Sequence, residues 1–497
     1  MMRPPDATAV VDREWFMIID GRPVGAVDGG RLEVVNPATG QVVATIPAAT
    51  EADVDAAVAA AKNAFDGWRR TPAVVRARLL NEIADAVETH GEELARIDAI
   101  DNGTPISMLR NDIRLATTQL RYFAGLALEL RGQSIPPPAG GLNYTVHEPF
   151  GVVGRIVPFN HPMMFAATKI AAPLVAGNTV VLKPSEHTSL SALRIGELCA
   201  EILPPGVVNV VTGLGATVGA RLTTHPDVTR IAFTGSVQTG LGIQRQAATE
   251  RVKTVTLELG GKNPLLVFPD ADLDAAVAGA IRGMNFTWQG QSCGSTSRVY
   301  VHRSLWDEFL DRLKVGVEKL QIGDPQNDET DVGAIVCRSQ YDRVVRFIEA
   351  GTADPRARLI AGGDVEGPDA GLFVRPTVFA FDEGDCDSPL LNEEIFGPVL
   401  SVLPFDEYDE VIARANRLPL GLTASVWTTD LSTAMRATRD LEAGYVWVNT
   451  SSIHIPGAPF GGFKNSGVGR EEGVEELYSY TQQKNVYIQF ELGGGSH

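Results

Sequence analysis

An α/β fold is predicted by three features of the chain. From Gly151 onward, short β-branched runs alternate with helical stretches; several of those runs are apolar at every position; and a second series of the same kind starts near Asn263 and continues to about residue 460. Strands that are apolar on both faces belong to a parallel sheet covered by helices on both sides. With 497 residues, the chain exceeds one ordinary domain, and two or three folding units are expected.

The first 50 residues carry strand-like runs, 32-LEVVNP and 42-VVATIP, broken by Gly and Pro. From Asp53 to about Leu130 the pattern turns helical: 53-DVDAAVAAAKNAFDGW repeats apolar residues at spacings of three and four, beginning after Thr50 and Glu51. The Pro/Gly-rich stretch 132-GQSIPPPAGGLNYTVHEPFG surrounds an alternating segment, Asn143 to His147, and reads as an arm that leaves the domain and returns. Five strands follow, in 151-GVVGRIVPF, 178-NTVVLKP, 207-VVNVVTG, 229-TRIAFTG and 253-KTVTLELG, with helices near 164–176, 187–203, 216–224 and 237–249. A nucleotide binds such a sheet at the carboxyl ends of its strands. The second series includes strand-like 298-RVYVH, 424-ASVWTT and 445-YVWVNT and helix-like 304-SLWDEFLDRLKVGVEKL. The closing alternation, 484-KNVYIQFEL, fits a strand paired with the arm or with another subunit; the terminal GGGSH reads as a linker and the first residue of a purification tag, so 495–497 are set aside.

A net charge of −18 argues against a nucleic-acid surface, which needs clustered Lys and Arg. The four cysteines, Cys199, Cys293, Cys337 and Cys386, show no C-x-x-C pair, so neither a metal cluster nor a disulfide framework is expected, and a reducing, cytoplasmic setting follows as the default. No run reaches the ~18 to 20 apolar residues of a membrane helix, and the first residues lack the apolar core of a signal peptide.

Three segments carry candidate chemistry. In 288-WQGQSCGSTSR, Cys293 follows a helix and has small neighbours that leave its sulfur approachable; a buried structural thiol is the plainer alternative. In 257-LELGGKNP, Glu258 ends an apolar strand at the mouth of the sheet, where partial burial would raise its pKa towards that of a general base, unless it simply turns into a loop. In 157-VPFNHPMMF, Asn160 precedes a Pro-started helix and is either an N-cap or an amide donor to an oxyanion. Gly235 and Gly240 in 233-FTGSVQTG frame a strand-to-helix turn whose free N–H groups suit a pyrophosphate, although the spacing is not G-x-G-x-x-G and no kinase-type Lys-Ser or Lys-Thr follows. In 180-VVLKPSE, Lys183 and Glu186 follow a strand; a carboxylate there accepts from both ribose hydroxyls and repels an added phosphate, which favours NAD over NADP.

Taken together and in order, PFNHP, KPSEHT, FTGSVQTG, LELGGKNP, GQSC, EEIFGP at 393–398 and PFGGFKNSGVGRE at 459–471 resemble the aldehyde dehydrogenase superfamily over nearly the whole chain. The resemblance implies a Rossmann-like NAD-binding domain over 1–130 and 150–261, an α/β catalytic domain over 262–470, and a small β oligomerisation arm over 131–149 and 471–494 that joins subunits into a homodimer or homotetramer. It implies Cys293 as nucleophile, Glu258 as the base that activates water, Asn160 with the backbone N–H of Cys293 as oxyanion hole, and Lys169 in a proton relay behind the glutamate. Lys183 and Glu186 would hold the adenosine ribose, Ser236 the pyrophosphate and Glu394 the nicotinamide ribose, with Phe396 near the ring. The expected reaction is oxidation of a small-molecule aldehyde to the acid through a thioester, with no metal. Phe159 and His161 beside Asn160, Thr168, Thr287, Trp288, Ser292 and Gly294 depart from common family residues, and point to a reshaped, roomy apolar pocket for a hydrophobic or aromatic aldehyde. A CoA-acylating relative, a γ-glutamyl-phosphate reductase type, a cofactor-free thiol hydrolase and a non-catalytic protein that keeps the fold are the rival readings; Glu258 counts against the first, and the second lacks this set of motifs.

Overall fold

The computed structural model describes residues 10–137, 140–365 and 371–490. Residues 491–497, which include the end of the expected arm and the expected tag remnant, lie outside the described residues. The five predicted strands form the centre of an eight-stranded sheet, ordered Val208–Val210, Thr179–Lys183, Val152–Ile156, Val228–Gly235, Thr254–Leu259, all parallel. The strand order reverses between Val152–Ile156 and Val228–Gly235, which opens a crevice at their carboxyl ends. Residues 157–160 leave one side of that crevice and Gly235 and Ser236 the other. A hairpin of Met17–Ile19 and Arg22–Val24, turned through Asp20 and Gly21 at positive φ, closes one edge. At the other edge Gly467–Val468 pairs antiparallel with Leu257–Glu258. The expected 262–470 domain therefore ends on two residues that belong to the first sheet; a strand this short has no periodicity to read.

A seven-stranded sheet follows the order Arg358–Ala361, Thr377–Ala380, Val399–Phe405, Arg298–His302, Pro264–Val267, Thr423–Trp427, Tyr445–Val448. Only Arg358–Ala361 runs antiparallel to its neighbour. Each sheet is buried on both faces: Val180 and Leu182 pack one way and Val181 the other, and Leu265 and Val267 lie opposite Leu266. The arm is one long antiparallel ribbon, Gly141–Pro149 against Thr481–Gln489, and Leu142, Tyr487 and Ile488 on it are exposed.

The helices obey local rules. Glu51–Arg70 starts at a capping box between Thr50 and Asp53. The single helix expected over 164–176 is two, Pro162–Thr168 and Ala171–Ala176. Pro173 has no N–H and its ring opposes the carbonyl of residue 169, so the ladder breaks there. The break puts Lys169 at a helix end with its side chain turned inward. Gly177, at φ +95°, then stops the second helix in a conformation that L side chains avoid.

Among the described residues no helix is long and apolar enough to cross a membrane. The four cysteines are unpaired.

The helix Leu273–Gly283 that leads to Cys293 lies so close to the second sheet that a Cβ on Gly279 would sit 1.9 Å from the Trp427 ring, itself held by its Nε1 donating to Ser425 Oγ at 3.0 Å. Gly279→Val is expected to lower the thermal unfolding midpoint, by about 1–3 kcal/mol of stability. An unchanged midpoint would mean that the ring, and not the glycine, sets the spacing.

Candidate active site

Cys293 is presented by a loop of unusual backbone. Asn285, Gln289 and Gly290 all have positive φ around the short turn Phe286–Trp288. Two non-glycine residues in that region carry strain that the surroundings must hold. Gln289 is fully buried and its Oε1 accepts from Thr104 Oγ1 at 3.2 Å and from Gln291 Nε2 at 3.2 Å. Asn263 fixes the nucleophile itself: its Nδ2 donates to the carbonyls of Cys293 at 2.7 Å and Ser295 at 3.0 Å, while its Oδ1 accepts from Thr423 N–H.

Glu258 is the penultimate residue of the strand Thr254–Leu259, and both Glu258 and Cys293 line one chamber of about 170 Å³. Phe165, Trp288 and Phe460 form its aromatic walls, and Lys169 and Glu471 lie at its depth. Glu258 is 6% exposed and its Oε2 has no hydrogen-bond partner among the described residues. Burial, and after it the charge of Glu471, pushes its carboxyl well above the usual range, against the pull of Lys169, Arg470 and Arg155. Glu471 shows the opposite outcome. It accepts from Lys169 Nζ and Arg155 Nη2, each at 2.5 Å, and although burial works to raise it, the two cations hold it at about 2. Burial pulls Lys169 down most strongly of any one cause, but Glu471, Glu476 and Glu472 together outweigh it and raise Lys169 above its ordinary value. Glu476, behind this triad, is lifted to about 7 by burial. The Cys293 thiol is pushed up to about 12, by burial first and then by the charges of Glu394, Glu258 and Glu472.

A second cleft, of about 640 Å³, opens at the sheet's switch point. Lys183, Glu186, Gly235, Ser236, Phe159 and Thr234 line it, and Thr234 also lines the reaction chamber. Lys183 Nζ donates to Glu186 Oε2 at 2.9 Å. Ser236 caps the helix Val237–Ala247, its Oγ accepting from the Thr239 N–H. The cleft's walls are bare backbone in places: a Cβ at Gly219 or Gly242 would meet nothing within 4 Å, and one at Gly215 only a Glu186 carboxylate oxygen at 3.9 Å. Thr234 Oγ1 is buried there without a partner among the described residues. Exposed amides, a helix N-terminus and an acidic rim are the parts a dinucleotide needs. Glu394 and Phe396 line a small crevice with Ser292; Glu394 accepts from Gly261 N–H at 3.1 Å and is lifted to about 7 by burial, and the Phe396 ring meets Phe159 edge-on at 5.6 Å.

Asn160 lies between Phe159 of the cleft and His161 of the chamber, 3% exposed, with its Oδ1 unpartnered among the described residues. Its side chain does not cap the following helix. Gly240 is not in the cleft's lining. A Cβ there would lie 2.7 Å from Leu259 Cδ2, so this glycine lets the helix Val237–Ala247 approach the sheet. The sequence reading assigned no role to Asn263, Glu471 or Arg155. Asn263 and Glu471 sit inside two of the quoted motifs, and the signal for Arg155 was a lone guanidinium within an otherwise apolar strand.

The family model described as "Aldehyde dehydrogenase family" matches residues 25–486. Phenylacetaldehyde dehydrogenase of Pseudomonas fluorescens is 43% identical over 485 residues, covering 95% of this chain and 96% of that protein. The structure of an aldehyde dehydrogenase from Bacillus cereus in complex with NAD+ superposes with a TM-score of 0.95 at 42% identity, covering 99% of this chain and 100% of the other. An NAD-dependent aldehyde dehydrogenase from Sinorhizobium meliloti gives a TM-score of 0.95 at 40% identity, with 99% and 98% covered.

Removing the carboxylate from the buried triad leaves two cations unpaired. Glu471→Gln is expected to cost about 3–5 kcal/mol at neutral pH, read as a fall in the denaturation midpoint. The group titrates at about 2 when folded and near ~4.3 when unfolded, so the gap to wild type is full above that upper value and closes as pH falls towards the lower one. A gap that ignores pH across this window would show that another group neutralises the cations.

Proposed function

Because the chain belongs to the aldehyde dehydrogenase family, we propose that its chamber oxidises a hydrophobic or aromatic aldehyde to the carboxylic acid with NAD, through a thioester on Cys293. One observation carries the reading: the thiol of Cys293 and the unpartnered carboxyl of Glu258 line the same chamber, and that chamber shares Thr234 with a cleft fitted to a dinucleotide.

The steps follow from these groups. Once the Cys293 thiol, held up by burial, has given its proton to solvent, the thiolate bonds to the aldehyde carbon and the carbonyl oxygen becomes an oxyanion. The Asn160 amide and the Cys293 N–H donate to it; such a donor is worth about 3 kcal/mol of barrier. A bound nicotinamide supplies positive charge and the acceptor for the hydride that leaves the adduct carbon. The carbon–oxygen double bond re-forms as a thioester. Glu258 then takes a proton from water, the hydroxide adds to the thioester carbon, and the carbon–sulfur bond breaks to release the acid and restore the thiolate. An elevated pKa suits a base that must both take and release this proton. Lys169 and Glu476, buried behind Glu258, give the proton a route away from the chamber.

Lys183 and Glu186 would hold the adenosine ribose, Ser236 and the bare backbone about Gly235 the pyrophosphate, and Glu394 the nicotinamide ribose beside Phe396. The acidic Glu186, to which Lys183 is already paired, supports NAD over NADP. The aromatic walls, and a relative named for phenylacetaldehyde, support the substrate class. The exposed ribbon of Gly141–Pro149 and Thr481–Gln489 supports a homo-oligomer joined through the arm.

Cys293→Ala should abolish NADH formation and spare NAD binding measured by calorimetry. Glu258→Gln should give a stoichiometric burst of NADH and then stall as acylated protein, visible as added mass; a normal steady rate would remove Glu258 from the role of base. In wild type the hydrolysis step should quicken with pH through a value well above the ordinary carboxylate range, because the base works deprotonated, and this rise should be absent in Glu258→Gln. In a panel read with NAD and NADP, a higher kcat/KM for short linear aldehydes than for aromatic ones would overturn the substrate class.

A further inference from the structure

We propose that His161 and Asp112 form a polar anchor in the reaction chamber that selects aromatic aldehydes bearing a ring hydroxyl. This rests on the chamber being the aldehyde site. His161 stands directly after Asn160, and its Nδ1 lies 2.8 Å from Asp112 Oδ2. A carboxylate only accepts, so Nδ1 carries the proton and Nε2 is the polar atom the ring has left to offer. The ring is held on both sides, tilted against Trp288 at 5.0 Å and edge-on to Phe165 at 5.5 Å. Its position is thus fixed by one hydrogen bond and two aromatic contacts, in a place where nothing else in the proposed chemistry uses it.

Two further atoms point to a ligand. Asp112 Oδ1 and Trp288 Nε1 are both buried without a hydrogen-bond partner among the described residues, and both residues line the chamber beside His161. One is an acceptor and the other a donor. Leaving such groups unpaired in a dry site is unfavourable, and a ligand that pairs them gains what the free protein lacks. A hydroxyl both donates and accepts, and so matches this set; an ether or halogen cannot donate, and a carboxylate cannot donate either. A carboxylate would also face Asp112, Glu258 and Glu472, all of which line the chamber. The polar wall continues along the same helix, Ile106–Gly125, where Asn111 and Gln119 share the chamber-facing side with Asp112. Phe165, Trp288 and Phe460 line the same chamber and fit the face and edges of an aromatic ring.

The test is a kcat/KM series for benzaldehyde, its ortho-, meta- and para-hydroxy derivatives and para-carboxybenzaldehyde, with wild type, His161→Phe and Asp112→Asn. The ratio of the best hydroxylated aldehyde to benzaldehyde is the readout, because a general loss of activity cancels in it. Wild type should favour at least one hydroxylated isomer by about tenfold or more. His161→Phe and Asp112→Asn should each bring that ratio to within about twofold of unity. If the hydroxylated aldehydes are no better than benzaldehyde in wild type, or keep their advantage in both variants, or if the carboxylated aldehyde is the best of the series, the anchor is wrong. That holds even where a variant fails to fold, since the wild-type series stands alone. Oxidation of none of the aldehydes would instead overturn the proposed function.

Discussion

The buried carboxylate of Glu471 is the interaction on which this molecule turns. It neutralises Arg155, in the middle of the first sheet, and Lys169, at the helix end that Pro173 creates, and so ties a strand, a helix break and the C-terminal segment together at one point. A guanidinium with no exposed surface, in a strand otherwise apolar, is intolerable without such a partner. The same triad sets the electrostatics of the chamber. Glu471 takes up both cations and stays ionised, whereas burial drives Glu258, which forms no ion pair among the described residues, the other way, and the charge of Glu471 adds to that push. Two glutamates in one pocket thereby acquire opposite characters, one a permanent anion and one a group able to exchange a proton.

The fold was legible from the chain because its signals are local and repeated. The five runs from 151-GVVGRIVPF to 253-KTVTLELG each became a strand of one parallel sheet, since an apolar run with helices on either side has nowhere else to go. The arm could be read from its Pro and Gly boundaries, and residues 484–489 of the closing alternation pair with it. What escaped were features decided by contact at a distance. Gly467–Val468 is a strand only because Leu257–Glu258 lies beside it. The apolar residues of 164–176 continue past Pro173 and so read as one helix, whereas the missing N–H of that proline makes two.

The candidate site divides the same way. Cys293 and Glu258 were identifiable as residue types in revealing places, a thiol among small neighbours and a carboxylate closing an apolar strand. Gly240 was read as part of a phosphate turn on spacing alone, yet the structure gives it a packing task against Leu259. Asn263 had a motif around it but no visible job, because its job is to hold two carbonyls thirty and more residues further along the chain. Arg155 announced itself by being out of place.

The cationic residues of the first sheet have a consequence for the order in which the protein comes into being. Arg155 finds its counter-charge at Glu471, and Arg230 places its guanidinium 4.0 Å over the Tyr480 ring and donates to the carbonyl of Ser479. Both arginines are made long before those partners: Glu471 follows Arg155 by 316 residues and Ser479 follows Arg230 by 249. The first sheet must therefore wait, with two guanidinium groups still lacking these partners, until residues 471–480 have been made. A chain broken off before residue 471 would carry both guanidinium groups without any of these three partners.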